Sequence, residues 1–427
     1  MILIPIYKED PLIIENTLKS LIEQNVSMII GFALEERDIN SNIKYNYLIN
    51  KYENFFIKII KTIHPNHLIN EISGKGSNCN YCVQILAKYY ENDEIINLKN
   101  KYSNVMITVC DCDTIWCKNY FLYLNYLCTI NNIKNFNHIV YTPNITNLKT
   151  FQSNHILINC MSMVRTVYTH GHFRCLGYIR GFTSEYHIPL KLLKLIDYWD
   201  NDLVHEDIHM YNKLAILNDN LLVFKHTLLP CDNQTPTNIN SCYQSLKLLW
   251  YQSLRWNLFI YDLYYLFHQL YLNIFNIKRY ENFQTNSYKI ILQIINNYEN
   301  LFFLFISPIS NNLFWIFYLY MFNSYADNDI VYYLLNYIQS CFLIIQILLG
   351  IFFSLFCFNT NDENTKGEQY HGKISSVFLL GLIIMPFFAT IYQGMNVIVA
   401  WIQTLKDINT HSESASKTVS NSKTNEM

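Results

Sequence analysis

Through about residue 285 the sequence alternates short apolar runs with longer helix-patterned stretches, and this alternation constrains the fold more than any other feature. "ILIPI" at 2–6 is followed by a helical stretch at 11–24, and "MIIGFAL" at 28–34 by one at 43–56. "IKIIKTI" at 57–63 precedes a helix at about 77–90, "NVMITVC" at 104–110 precedes one at 117–130, and "NHIVYT" follows at 137–142. Strand, helix, strand in repetition predicts a mainly parallel sheet covered on both faces. Ligands of such sheets bind at the carboxyl ends of the strands.

Beyond residue 285 the pattern changes. Stretches near 299–323 (broken by Pro308), 330–358 and 375–402 (interrupted by Pro386) are long enough to cross a bilayer, which takes about 20 apolar residues. The second, "YYLLNYIQSCFLIIQILLGIFFSLFCF", carries no charge. Residues 256–275 hold Asp262 and His268 among aromatics and read as a helix lying in the membrane interface. Lys247, Arg255, Lys278, Arg279 and Lys289 precede the first span, whereas the loop at 324–329 has aspartates and no base, which places the N-terminal domain in the cytosol. The expected organisation is an α/β domain over 1–240, amphipathic helices over 241–290, about three transmembrane helices over 291–405, and a disordered polar tail over 406–427.

Charged residues make up 15% of the 427 and the net charge is -2, so the chain has no basic footprint for nucleic acid. The 12 cysteines are scattered through apolar contexts and read as reduced thiols. Cys79 and Cys82 have CxxC spacing, but no second pair follows to complete a zinc site. The chain opens on a strand and a turn, unlike a signal peptide.

Several short stretches could carry chemistry. The strand at 104–110 ends in Asp111 and Asp113. Buried carboxylates are costly unless a cation sits against them, so this is either a solvated Asx turn or a site where both reach one Mg²⁺ or Mn²⁺ together with a substrate diphosphate. "HEDIH" at 205–209 opens a helix, where Asp207 is either a cap or a general base. A metal group of His205, Glu206 and His209 departs from the spacing of zinc-binding helices. In "QSLRW", Gln252, Arg255 and Trp256 share one helical face, suited to a phosphate and a sugar ring or to the headgroup level of a membrane. "GKGSNCN" at 74–80 lets the backbone approach closely at Gly74 and Gly76, and Lys75 offers a charge to phosphate.

In order and spacing these pieces resemble the family 2 glycosyltransferases, in particular the membrane-bound branch of cellulose, chitin and hyaluronan synthases. "IPIYKED" resembles that family's opening strand motif, "GKGSNCN" its Gly-Lys segment, "DCD" its DxD, "HED" its TED and "QSLRW" its QxxRW. The resemblance covers roughly residues 1–260 and implies a GT-A fold, a Rossmann-like nucleotide-sugar-binding α/β domain. It also implies inverting, metal-dependent sugar transfer from a nucleotide sugar, a UDP-sugar by the family's habit, to a glycan hydroxyl.

By the same resemblance Tyr7 and Glu9 would contact the nucleoside, and one of Glu35 and Glu36 the base or ribose. Lys75, Asp111, Asp113, Gln252 and Arg255 would serve the donor, with Asp111 and Asp113 addressing Mg²⁺ or Mn²⁺. Asp207 would be the base, and Glu206 and Trp256 would face the acceptor. "ALEERD" stands where the family has paired aspartates, "HED" replaces TED, and the chain opens directly on the first strand where the family has transmembrane helices before the domain. Single-sugar transfer to a lipid phosphate and a non-catalytic scaffold within a synthase complex are the alternatives. A transporter of unrelated fold is disfavoured, since no intramembrane charge marks a transport path in the expected spans.

Overall fold

The computed structural model describes residues 1–38, 41–66, 68, 71–92, 104–130, 133–146, 158, 179–203, 206–233, 241–256, 260–275, 277 and 284–298. An eight-stranded sheet runs in the order β3-β2-β1-β4-β7-β6-β8-β5. The strands are β1 (Ile2–Ile6), β2 (Ile29–Glu35), β3 (Lys58–His64), β4 (Met106–Val109), β5 (Thr114–Trp116), β6 (Ile139–Thr146), β7 (Tyr186–Pro189) and β8 (Val223–Asn233).

Both faces of the sheet are covered, which is why its strands read as nearly continuous apolar runs. On β1, Ile2, Ile4 and Ile6 face one core and Leu3 the other. Helices α1 (Pro11–Ile22), α2 (Ser41–Tyr52) and α4 (Tyr120–Ile130) pack on the first face through Ile14, Leu18, Tyr45, Leu48, Tyr120 and Phe121. The second face is covered by α3 (Lys75–Asn92), α5 (Leu190–Leu195) and α6 (Glu206–Ala215), through Cys79, Cys82, Leu86, Leu193 and Met210. Cys79 and Cys82 are free thiols buried in this layer. Gly31 lets α3 sit close, since a Cβ there would lie 2.7 Å from Leu86 Cδ1. Helix α1 starts where its sequence directs: Asp10 Oδ1 accepts the Leu12 amide at 2.9 Å and Pro11 takes the first turn.

The sheet departs from the mainly parallel expectation. β3, β2, β1 and β4 are parallel neighbours, but β7 runs antiparallel to both β4 and β6, and β5 antiparallel to β8. Local pattern fixes which segments become strands, whereas direction depends on how the chain returns. The helix expected at 117–130 begins only at Tyr120, as α4, after the short strand β5 and a turn in which Asn119 takes the left-handed region at φ 63.

Beyond the sheet lie α7 (Cys242–Trp256), α8 (Ile260–Ile274) and α9, residues 287–298. A small core of Ile216, Leu263, Tyr265, Leu266, Ile290 and Ile294 joins α8 and α9 to the end of α6. Helix α9 runs through the boundary expected at 290. Asp262, on the helix read as interfacial, is 1% exposed and faces the domain. Among the described residues no helix is long and apolar enough to cross a membrane. The spans expected at 299–323, 330–358 and 375–402, and the polar tail, lie outside the described residues.

Candidate active site

The turn carrying Asp111 and Asp113 is held by backbone bonds at the carboxyl end of β4. The Cys110 amide donates to the Leu3 carbonyl at 2.9 Å and the Thr114 amide to the Asp111 carbonyl at 3.1 Å. From α1, the Thr17 hydroxyl donates to the Cys112 carbonyl at 2.7 Å. Cys112 is buried in the core, while the aspartates on either side remain partly exposed.

Lys75 opens α3, whose first turn is shaped by the Ser77 hydroxyl bonded to the Ile72 carbonyl at 2.8 Å. Its Nζ lies 2.7 Å from Asp111 Oδ1 and 2.7 Å from Glu206 Oε1. One ammonium thus joins the "GKGS", "DCD" and "HED" stretches, which are far apart in sequence. Gly76 makes this meeting possible, because a Cβ there would stand 3.3 Å from Glu206 Cβ and 3.5 Å from the Leu203 carbonyl.

Electrostatically the cluster is short of positive charge. Burial opposes the Lys75 ammonium, but Asp111, Glu206 and Asp207 outweigh it and hold Lys75 well above its ordinary value. Burial raises Glu206 and Asp207, with Lys75 pulling the other way. Asp207 sits in the first turn of α6, its Oδ1 accepting the Ile208 amide at 2.8 Å. Burial and then the Asp111 and Glu185 charges push Asp113 well above the usual carboxylate range.

Glu185, which sequence reasoning missed, is fully buried just before β7. Its carboxylate accepts from the Thr114 hydroxyl at 2.7 Å, the Ser184 hydroxyl at 2.8 Å and Asn233 Nδ2 at 3.0 Å. Burial, and after it the Asp111 charge, raises it to about 7.

A second group lies at the ends of β1 and β2. The Glu9 carboxylate accepts the Tyr7 amide, and Tyr45 donates its hydroxyl to the Glu9 carbonyl at 3.0 Å. The Arg37 guanidinium lies 4.5 Å from the Tyr7 ring centre and donates through Nε to Glu35 at 2.6 Å. Lys8 takes a left-handed conformation at φ 65, and Asp38 accepts its amide at 3.2 Å. Glu36 turns away to accept the Asn66 amide at 2.7 Å. Arg37 and Asp38 were also missed; the acidic run of "ALEERD" was the available signal.

Gln252 lies on α7, with its Oε1 buried and without a hydrogen-bond partner among the described residues. Arg255 and Trp256 are on the same helix, and their side chains lie outside what is described. His209 belongs elsewhere. Both its ring nitrogens are taken by carboxylates, Asp200 and Asp262, at 2.8 Å each. Glu206 is bound to Lys75, and His205 lies outside the described residues, so the structure does not support a metal group of His205, Glu206 and His209.

Among the described residues no three His, Cys, Asp or Glu side chains are placed to hold one metal ion. Asp111 and Asp113 nonetheless fit Mg²⁺ or Mn²⁺ chemically: they are hard oxygen donors in a negative cluster. Such an ion keeps waters and completes its shell with substrate phosphate.

No protein-family model matches the sequence, and no curated protein matches it. Among solved structures, the chain is similar to the mannosyltransferase PcManGT from Pyrobaculum calidifontis, determined with GDP-Man and Mn²⁺. That match has 10% identity and a TM-score of 0.45, over 95% of this chain and 86% of that one. It is also similar to TarS of S. aureus, at 12% identity and a TM-score of 0.33, over 59% of this chain and 39% of that one. Likenesses this remote carry no argument, so the functional reading rests on the residues themselves.

Proposed function

We propose that this protein is a glycosyltransferase of the membrane-bound synthase type, moving a sugar from a nucleotide sugar to a glycan hydroxyl with inversion. The observation that carries the reading is Lys75, which bonds Asp111 and Glu206 and so gathers three separate motifs at the carboxyl end of β4. Tyr7 and Glu9 seat the nucleoside, with Glu35 and Glu36 on the neighbouring strand end. Asp111 and Asp113 hold Mg²⁺ or Mn²⁺, which when bound offsets charge on the departing diphosphate.

Asp207 removes the proton of the acceptor hydroxyl as its oxygen bonds to the anomeric carbon and the bond to the diphosphate breaks. Burial raises Asp207, which makes it a stronger base. Glu206 lies beside the acceptor, Gln252 and Arg255 steady the diphosphate, and Trp256 forms a platform under the acceptor sugar. Membrane spans after residue 298 hold the domain on the cytosolic face, against lipid. The chemistry is positioning and electrostatics without a covalent intermediate.

The test is release of nucleoside diphosphate by the detergent-solubilised protein across UDP- and GDP-sugars with oligosaccharide acceptors, in Mn²⁺ or EDTA. We expect metal-dependent release with one donor, falling about 10²–10⁴-fold in Asp207→Asn while nucleotide binding persists. Equal turnover by Asp207→Asn would refute the base. Silence across the panel, from a protein that binds UDP and Mn²⁺, would favour the scaffold.

A further inference from the structure

His209 is 3% exposed on α6, two residues after Asp207. Its Nε2 is 2.8 Å from Asp200 Oδ2 and its Nδ1 2.8 Å from Asp262 Oδ1. A neutral imidazole carries one N–H and could satisfy only one of these carboxylates, leaving a lone pair against the other. With both carboxylates ionised, the geometry therefore calls for the doubly protonated ring. One turn on, Lys213 is fully buried and donates to Asp200 Oδ1 at 2.8 Å and to the Tyr198 carbonyl at 3.0 Å. From α8, the Tyr265 ring meets the imidazole edge-on, 4.4 Å between centres. Two carboxylates thus face two cations, and the charges balance only with an imidazolium.

The cluster lies where it can govern the site. The Asp200 carbonyl would be 3.7 Å from a Cβ at Gly76, so the residue gripped by His209 and Lys213 also lies against the start of α3. Asp262 belongs to α8, which follows the helix of Gln252, Arg255 and Trp256.

We propose that His209 is a positioning residue: as an imidazolium clamped between Asp200 and Asp262, it locks the Asp207 helix to α8 and sets where Asp207 meets the acceptor. This rests on the glycosyltransferase reading. Burial opposes the charge on His209, but the hydrogen bonds and charges of Asp200 and Asp262 overcome it and raise the ring to about 9. Burial opposes the Asp200 charge, but His209 and Lys213 outweigh it and hold Asp200 well below the usual carboxylate range. The clamp is whole at neutral pH and opens as pH rises through about 9.

The experiment combines imidazole ¹⁵N NMR of the full chain, His209 being assigned by its absence in His209→Gln, with turnover on the active donor. We expect His209 to stay protonated to about pH 9 and turnover to fall above that pH. His209→Gln should lose about 10²-fold in turnover, the scale of a roughly 1 Å misplacement, with Mn²⁺–nucleotide affinity unchanged. In Asp262→Asn a neutral ring satisfies both neighbours. Its titration should drop by about one to two units and the alkaline loss of turnover should vanish. Should His209→Gln not fold, Asp262→Asn decides alone. Titration near 6.5, an alkaline loss unchanged in Asp262→Asn, or full turnover by a folded His209→Gln would each overturn the proposal while leaving sugar transfer standing. A ring protonated as expected in a protein that turns over no donor would instead sink the transfer reading, and the positioning role with it.

Discussion

Two charged clusters lie side by side on α6, and they are built in opposite ways. Around His209 and Lys213 the carboxylates of Asp200 and Asp262 meet their match, with both Asp200 oxygens and Asp262 Oδ1 bonded to the two cations. Around Lys75 the carboxylates of Asp111, Asp113, Glu185, Glu206 and Asp207 share one described ammonium, and burial lifts Asp113, Glu185, Glu206 and Asp207 above their ordinary values. A balanced cluster has no call for a ligand and serves to hold elements together. An unbalanced one is held in a state that a cation and its phosphates would relieve, which is what the proposed function asks of it.

Four measurements would break or sharpen this contrast. The largest effect is expected for Lys213→Met: removing the fully buried cation of the Lys213–Asp200 pair should cost about 3–5 kcal/mol, and Mn²⁺ should recover none of it in a thermal melt. Lys75→Met should cost less, about 2–3 kcal/mol, because its side chain is 24% exposed. Here Mn²⁺ should raise Tm more than in the parent, since it supplies the missing charge. Equal Mn²⁺ responses in the two variants would erase the distinction.

Next is pH. Glu185 is raised from 4.5 to about 7, so its stabilising contribution is whole below 4.5 and lost as pH rises through 7. His209 is raised from 6.5 to about 9, so its contribution is whole below 6.5 and lost through 9. Tm should therefore decline in two windows, with Glu185→Gln removing the lower and Mn²⁺ shrinking only that one. The smallest effect belongs to Gly76→Ala. Helix propensity gains up to about 1 kcal/mol, while contact with Glu206 Cβ loosens the Lys75 bridge, so stability should barely move and donor affinity should fall a few-fold in a binding titration.

Much of this architecture is legible in the sequence. β1 to β4 and α1 to α3 follow from apolar periodicity and from the Asp10–Pro11 start, which are local signals. β5 is three residues long and exists only by pairing with β8, so no local pattern could reveal it. The same holds for the reversed direction of β7. The motifs "GKGS", "DCD" and "HED" stand out as segments, and the structure brings Lys75, Asp111 and Glu206 together. Glu185 does not stand out, because "FTSEYHIP" looks like any strand entry and its meaning comes from Thr114 and Asn233, distant in the chain. Asp262 was visible as an acid among aromatics and His209 as part of "HEDIH", but their pairing was not, since contact across that distance leaves no trace in either segment.

The sheet order has a consequence for synthesis. β3, β2, β1 and β4 all lie before residue 110 and can assemble as soon as they leave the ribosome, but the outer edge of β4 is completed only by β7, at Tyr186–Pro189. At about 5–20 residues per second, that edge waits several seconds with its backbone groups unpaired. An open edge of apolar parallel strands invites pairing with other nascent chains. The domain is therefore vulnerable to aggregation while the segment between β4 and β7 is being made.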